Sequence, residues 1–440
     1  MAALIGYEGG SGSNASAMPA KPLNRLIACA ALLGGLAAGA GRCAAAGEPP
    51  VRRSEKPLAA VAVSLALTTD TGKTRLAITL SKAVEARAAV MERPDRVIVD
   101  LPEVNFQLPP DPGARRDGLV ASYRYGLFAP GRSRLVIELA QPARVERLET
   151  TPNEADGSAV LTIELARVER EAFRKTAAAD ARVAVAPPIA SPPAGAAAES
   201  EDRRPLIVID PGHGGIDPGA HAPAGIPEKD IVFAFSQRLK ARLEAKGRYR
   251  VLMTRDEDVF IPLSERVRVA RAAKADLLIS IHADTISGAP QVRGLTVYTG
   301  AERASDAESA QVADRENKSD AVAGLESEQA GDEGLADILQ DLIRRETRGF
   351  SHAFASKIIR ELSPVMKLNV KPHREARFVV LRAPDVPAVL VELGYLSSNK
   401  DTDLLTSDEW RDRMTASMSG AIDRFFSTRL AKQGTAPVSP

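Results

Sequence analysis

Three short apolar runs in the second half of this chain end on polar residues that strand packing does not require. L-I-V-I-D (206–210) leads through Pro211 and Gly212 into His213, L-L-I-S-I-H (277–282) ends on His282, and A-V-L-V-E-L (388–393) carries Glu392. Apolar runs without polar alternation are strands buried on both faces, the habit of a parallel sheet covered by helices. Helical spacing lies between them: Ile231, Phe235, Leu239 and Leu243 recur every four residues in 229–246, and L-S-E-R-V-R-V-A-R-A-A spans 263–273. With Y-R-V-L-M-T-R (249–255) as another strand, the alternation predicts an α/β domain over 205–430, with a mostly parallel sheet flanked by helices.

Residues 58–168 read differently. Val61, Val63, Leu65 and Leu67 alternate with smaller or polar residues, as do Leu76, Ile78 and Leu80, and further short runs lie at 96–101, 134–139 and 160–165. Asp70-Thr71-Gly72-Lys73 and Pro130-Gly131 mark turns, so a small all-β, sandwich-like domain is expected. It contains no histidine, which leaves it binding or spacing rather than catalysis. The Ala/Pro-rich stretch 169–204 is expected to be a linker, and 431–440 a disordered tail.

The first 46 residues are expected to be a signal peptide: Lys21 and Arg25 precede about sixteen apolar residues, and Ala44-Ala45-Ala46 offers a cleavage site. That run is short and Gly/Ala-rich for a membrane span, so no stable membrane anchor is expected after cleavage. Cys29 and Cys43 both fall inside it, so any metal site downstream must use imidazole and carboxylate. A net charge of +1 over 440 residues gives no reason to expect a nucleic-acid partner.

In open α/β sheets ligands bind at the carboxyl ends of the strands, so His213, His282 and Glu392 can converge on one crevice. Glu228, in G-I-P-E-K-D before a helix, can join from a loop. Two histidines and a carboxylate with one open position form a catalytic zinc set, with Glu392 the candidate to shuttle a proton. Spacing alone leaves this open. His213 can equally be a capped loop residue beside Gly214-Gly215, and His282 a core histidine bonded to a backbone carbonyl. Gly212, Gly214 and Gly215 are expected to keep bulk away from the His213 ring.

D-P-G-H-G-G-I-D-P-G-A, G-I-P-E-K-D, T-R-D-E-D, L-S-E-R-V-R-V-A, S-I-H-A-D and P-A-V-L-V-E-L-G-Y-L-S-S, in that order over 205–428, resemble the zinc-dependent N-acetylmuramoyl-L-alanine amidases of the AmiC type. The resemblance implies one Zn²⁺ held by His213, Glu228 and His282, with Glu392 as the catalytic acid–base residue. It also implies cleavage of the amide joining muramic acid to L-alanine in peptidoglycan, in the periplasm, during daughter-cell separation. In 58–168, T-R-L-A-I-T-L-S, E-R-P-D-R-V-I-V-D-L-P and V-A-S-Y-R-Y-G-L-F-A-P-G-R-S-R-L-V-I-E-L resemble the AMIN domain, which implies targeting to septal peptidoglycan.

Residues 301–350 hold 13 Asp/Glu against 6 Lys/Arg, and read as an insertion. Leu335, Ile338, Leu339, Leu342 and Ile343 make an amphipathic helix expected to lie against something. The resemblance implies a regulatory insertion that supplies a carboxylate to the metal and is released by an activator of the LytM type. Glu316, in E-N-K-S-D-A-V-A-G, is the candidate, with Glu308, Glu326, Glu328 or no ligand as alternatives. His221 is expected at the surface, His352 exposed at the start of a helix, and His373 in the substrate groove. Arg255 and Arg266 are expected in structural ion pairs. Two other readings are a non-hydrolytic peptidoglycan-binding protein whose amidase fold stays closed, and a zinc peptidase cutting within the stem peptide.

Overall fold

The structure, a computed structural model, describes residues 59–108, 117–180, 202–286, 288–289, 291–325 and 338–434. The expected signal segment with Cys29 and Cys43, most of the expected linker, and Glu326, Glu328 and Leu335 lie outside the described residues.

Nine strands come first among the described residues: β1 (Ala60–Asp70), β2 (Lys73–Leu80), β3 (Arg87–Met91), β4 (Arg96–Pro102), β5 (Val104–Phe106), β6 (Val120–Ala129), β7 (Arg132–Leu139), β8 (Ala143–Pro152) and β9 (Ala159–Arg167). They form two sheets, β5-β1-β2-β9-β8 and β3-β4-β7-β6. Leu76, Ile78, Leu161 and Ile163 from one meet Val97, Val99, Leu135 and Ile137 from the other in a shared core. Each such side chain contributes about 1.5–3 kcal/mol on burial. The turn at 70–73 forms as expected, with Thr71 and Gly72 both at positive φ.

Residues 170–180, expected as linker, instead form a helix, α1 (Arg170–Asp180). Its R-E-A-F-R-K-T-A-A-A-D sequence has the helix propensity of its alanines and an Glu171–Lys175 pair one turn apart. It buries Phe173 and Ala177 on the sandwich, and Asp180 accepts the Val90 amide at 2.7 Å.

The second domain runs β10 (Leu206–Pro211), α2 (Glu228–Ala245), β11 (Arg250–Met253), α3 (Leu263–Ala272), β12 (Leu277–His282), β13 (Leu295–Gly300), α4 (Ala307–Glu316), α5 (Ser319–Val322), α6 (Ile338–Leu362), β14 (Leu368–Ala376), β15 (Ala388–Glu392), α7 (Asn399–Leu405) and α8 (Asp408–Gly434). The sheet order is β11-β10-β12-β15-β13-β14, and only the β13–β15 pair is antiparallel. Phe235 and Leu239 of α2, Phe354 and Ile358 of α6, and Trp410 and Met414 of α8 cover one face. Ala270 of α3, Val312 of α4 and Phe378 cover the other. The continuous apolar runs therefore mean what they suggested, strands buried on both sides.

Three boundaries differ from expectation. α6 is continuous from Ile338 to Leu362, so an insertion ending at 350 would stop inside a helix, and His352 lies in that helix rather than at its start. α8 continues to Gly434, past the expected start of the tail. Leu342 and Ile343 are 56% and 40% exposed, so this part of the expected apolar face turns to solvent.

Candidate metal centre

The register of the sheet assembles the site. His282 and Glu392 are direct partners across β12 and β15, and β10 runs on the other side of β12, delivering His213 two residues past its end. There the chain turns sharply, with His213 itself at φ 56°, in the left-handed region where a side chain costs about 1 kcal/mol or more. The turn is held by Arg266, whose guanidinium donates to the Pro211 and His213 carbonyls, each at 2.8 Å, and pairs with buried Asp210 at 2.8 Å. Arg266 thus forms the expected ion pair. Arg255 does not: it donates to the carbonyls of Pro211, Gly212, Lys229 and Glu257.

The glycines serve different neighbours from those expected. A Cβ on Gly212 would overlap the His282 ring, and one on Gly214 would approach Arg255. The glycine that clears His213 is Gly219, where a Cβ would lie 2.6 Å from the ring and 2.7 Å from Glu228 Oε2.

Four side chains converge. His213 Nε2 lies 3.2 Å from Glu228 Oε2 and 3.4 Å from Glu316 Oε2. His282 Nδ1 lies 3.3 Å from Glu228 Oε1 and 3.0 Å from Glu316 Oε2. Donor atoms of His213, His282 and Glu316 all fall within 4.8 Å of one another. Glu228, the first residue of α2, is fixed by amides of Ala220 at 2.9 Å and Ala283 at 2.8 Å. The two imidazole nitrogens are buried and make no directed hydrogen bond, although carboxylates surround them. Unpartnered buried nitrogens facing carboxylates, with no thiolate among the described residues, fit the donor set of a zinc ion.

The electrostatics agree with that fit. Burial alone would lower both imidazoles, but Glu228, Asp217 and Glu316 outweigh it and hold His213 well above its usual value. The same contest, won by Glu316 and Glu228, pushes His282 up to about 10. Burial, then Asp284, pushes Glu392 well above the carboxylate range. Its Oε2 accepts the Asp284 amide at 2.9 Å, and its Oε1 has no partner.

Sequence reasoning missed the residues that brace these groups. Asp217 Oδ2 sits 2.9 Å from His213 Nδ1 and also takes the Ser319 hydroxyl. A carboxylate only accepts, so His213 keeps a proton on Nδ1 and turns Nε2 to the site. Asp284, raised by burial and by Glu316 and Glu228 to about 7, pairs with Arg315. Both aspartates lie within four residues of a site histidine, in H-G-G-I-D and H-A-D, the one signal that marked them.

Elsewhere, Glu308 pairs with Arg374 at 3.1 Å rather than reaching the centre. His221 is exposed, as expected. His373 is half-buried on β14, bonded to Thr299 at 3.1 Å and packed edge-on against His352.

Residues 207–424 match the family described as N-acetylmuramoyl-L-alanine amidase, and 64–165 match the AMIN domain. The chain is 32% identical to N-acetylmuramoyl-L-alanine amidase AmiC of Neisseria meningitidis serogroup B, over 82% of this chain and 89% of the relative. It is 29% identical to the AmiC of Escherichia coli, again over 82% and 89%. The solved N-acetylmuramoyl-L-alanine amidase AmiC2 of Nostoc punctiforme is 28% identical and covers 51% of this chain and 97% of its own, with a TM-score of 0.37. A strand-end site at the predicted positions, joined to an AMIN domain and matched along most of its length, places this chain in the AmiC-type N-acetylmuramoyl-L-alanine amidases, peptidoglycan hydrolases.

Proposed function

We propose that this amidase depends on zinc held by His213, Glu228 and His282, that Glu392 is its acid–base group, and that Glu316 keeps it closed. The observation that carries the reading is the pair of buried imidazole nitrogens, unpartnered, turned toward the same two carboxylates. Zinc bound there would supply Lewis-acid polarisation and acidify a water. The chain's own residues do the rest. Ala220 and Ala283 hold Glu228 in orientation, and Asp217 fixes the His213 tautomer. Glu392, anchored through one oxygen and free at the other, takes a proton from the attacking water and returns it to the leaving amine of L-alanine.

Glu316 occupies the side a substrate carbonyl would need. It ends α4, whose start is tied down by Arg374 to Asp306 at 3.0 Å and to Glu308 at 3.1 Å. Release then requires an activator, and the exposed Leu342 and Ile343 of α6 offer apolar contact for a LytM-type partner. The enzyme works in the periplasm at the division septum, reached through a cleaved signal peptide and directed by the AMIN domain. No helix among the described residues is long and apolar enough to cross a membrane.

Two variants test this on purified, dye-labelled sacculi. Glu392→Gln should retain zinc and lose at least about a hundredfold in turnover, the contribution of a positioned acid–base group; undiminished activity removes Glu392 from the mechanism. Glu316→Ala should hydrolyse sacculi without activator, whereas a silent, zinc-loaded Glu316→Ala supports the non-hydrolytic reading instead.

A further inference from the structure

The N-terminal sandwich has one sheet whose outer face is not polar. In β4 and β7, Val97, Val99, Leu135 and Ile137 point into the sandwich core, yet their outward neighbours Ile98 and Val136 are buried as well. That is why R-V-I-V-D-L and R-L-V-I-E-L read as continuous apolar runs in an otherwise alternating domain. Ile98 and Val136, partners across the two strands, join Met91, Phe128, Ile216, Phe260 and Ala323 in one cluster. Ala323 and its neighbours belong to the segment that follows Glu316.

Polar contacts pin the same place. Arg96 donates through Nη1 to the carbonyl of Ala321. Arg134 donates through Nη1 to the carbonyl of Ala323 at 3.0 Å, while Asp100 holds its other nitrogens at 2.6 and 3.0 Å and Phe128 lies against its plane. Both arginines are buried, and a guanidinium bonded to a carbonyl in such surroundings is a strong, directional contact. Gly324 follows at φ 73°, so close that a Cβ there would run into Ile98. Four residues of chain separate Glu316 from Ala321, and among them Ser319 is bonded to Asp217.

Resting on the autoinhibition reading above, we propose that the N-terminal domain is itself part of the lock. Arg96 and Arg134 hold the end of α5 against the sandwich, and Glu316 stays in the metal centre because this end cannot move. Separation of the β4–β7 face from Ala321–Leu325 activates the enzyme. The domain thus serves as a clamp as well as a targeting module, which couples what it binds to the state of the catalytic centre. Whole-domain deletion would not isolate this, because the Leu127 carbonyl also accepts from Ile216 at 3.3 Å and so touches the His213 loop.

The test uses point variants of the full chain without activator. Arg96→Ala/Arg134→Ala breaks the clamp from the sandwich side. Gly324→Val breaks it from the insertion side and leaves the sandwich intact should the double variant prove misfolded by circular dichroism. Glu316→Ala is the reference, and Arg87→Ala, whose exposed side chain pairs with Glu85, the control. Both clamp variants should hydrolyse labelled sacculi about tenfold or more faster than wild type, the scale of one lost charged hydrogen bond. Amide exchange in 307–325 should quicken in parallel, with Arg87→Ala unchanged. If Glu316→Ala is active while folded clamp variants keep the wild-type rate, the clamp is refuted and autoinhibition stands; unchanged amide exchange refutes it equally. If Glu316→Ala is inactive too, autoinhibition falls and the clamp with it.

Discussion

Replacing Asp217 separates the metal centre's orientation from its charge. Asp217 is buried, its Oδ2 stands 2.9 Å from His213 Nδ1, and burial's tendency to raise it is outweighed by His213, so it stays ionised. The outer partner of a ligating histidine sets the tautomer and basicity of the ring, and losing it costs about 10–100-fold in metal affinity, or roughly 1.4–2.7 kcal/mol. In Asp217→Asn the amide oxygen can still accept the Nδ1 proton, so orientation survives and only charge is lost. Zinc affinity should fall about tenfold for Asn and about a hundredfold for Ala, where both are lost. The assay is equilibrium competition for zinc against a chromophoric chelator. It avoids activity because Asp217 also holds Ser319, and freeing the insertion would raise turnover while weaker metal binding lowers it. Wild-type affinity in both variants would refute the claim that His213 is a ligand steered by Asp217.

Two further outcomes follow from the charges of the site. With both imidazoles raised, the metal-free site is protonated at neutral pH, so zinc binding there should expel about two protons. Affinity should therefore weaken as pH falls, and calorimetry in buffers of different ionisation enthalpy would detect it; heats independent of buffer would contradict it. Arg266→Met should destabilise the metal-free protein by about 3–5 kcal/mol, because Asp210 is left charged and buried. Urea unfolding measures this, and a loss below about 1 kcal/mol would mean Asp210 finds other compensation.

The site was legible because strand ends are where a buried sheet meets its ligand. His282 and Glu392 close apolar runs, and the rest followed from the order of the sheet. Glu228 was readable as a helix-opening carboxylate. Asp217 and Asp284 were not singled out, since an aspartate near a glycine turn or after a strand reads as ordinary turn chemistry until its partner is seen. α1 was hidden by composition: an alanine-rich stretch reads as linker unless Phe173 has somewhere to go, and only the sandwich supplies that place. The apolar face of α6 was readable as a helix, but Leu342 and Ile343 find no core. The double-sided burial of β4 and β7 was written in their sequences, yet its meaning required knowing that the insertion packs there.

The central claim is that a zinc ion sits among His213, Glu228 and His282 with Glu316 closing the remaining side. Anomalous scattering at the zinc edge, from crystals of the full chain grown with zinc and without activator, tests it most directly. One peak is expected between His213 Nε2 and His282 Nδ1, with Glu228 and Glu316 oxygens bound to it. A peak elsewhere, or one at that position with water bound and Glu316 turned away, would contradict it.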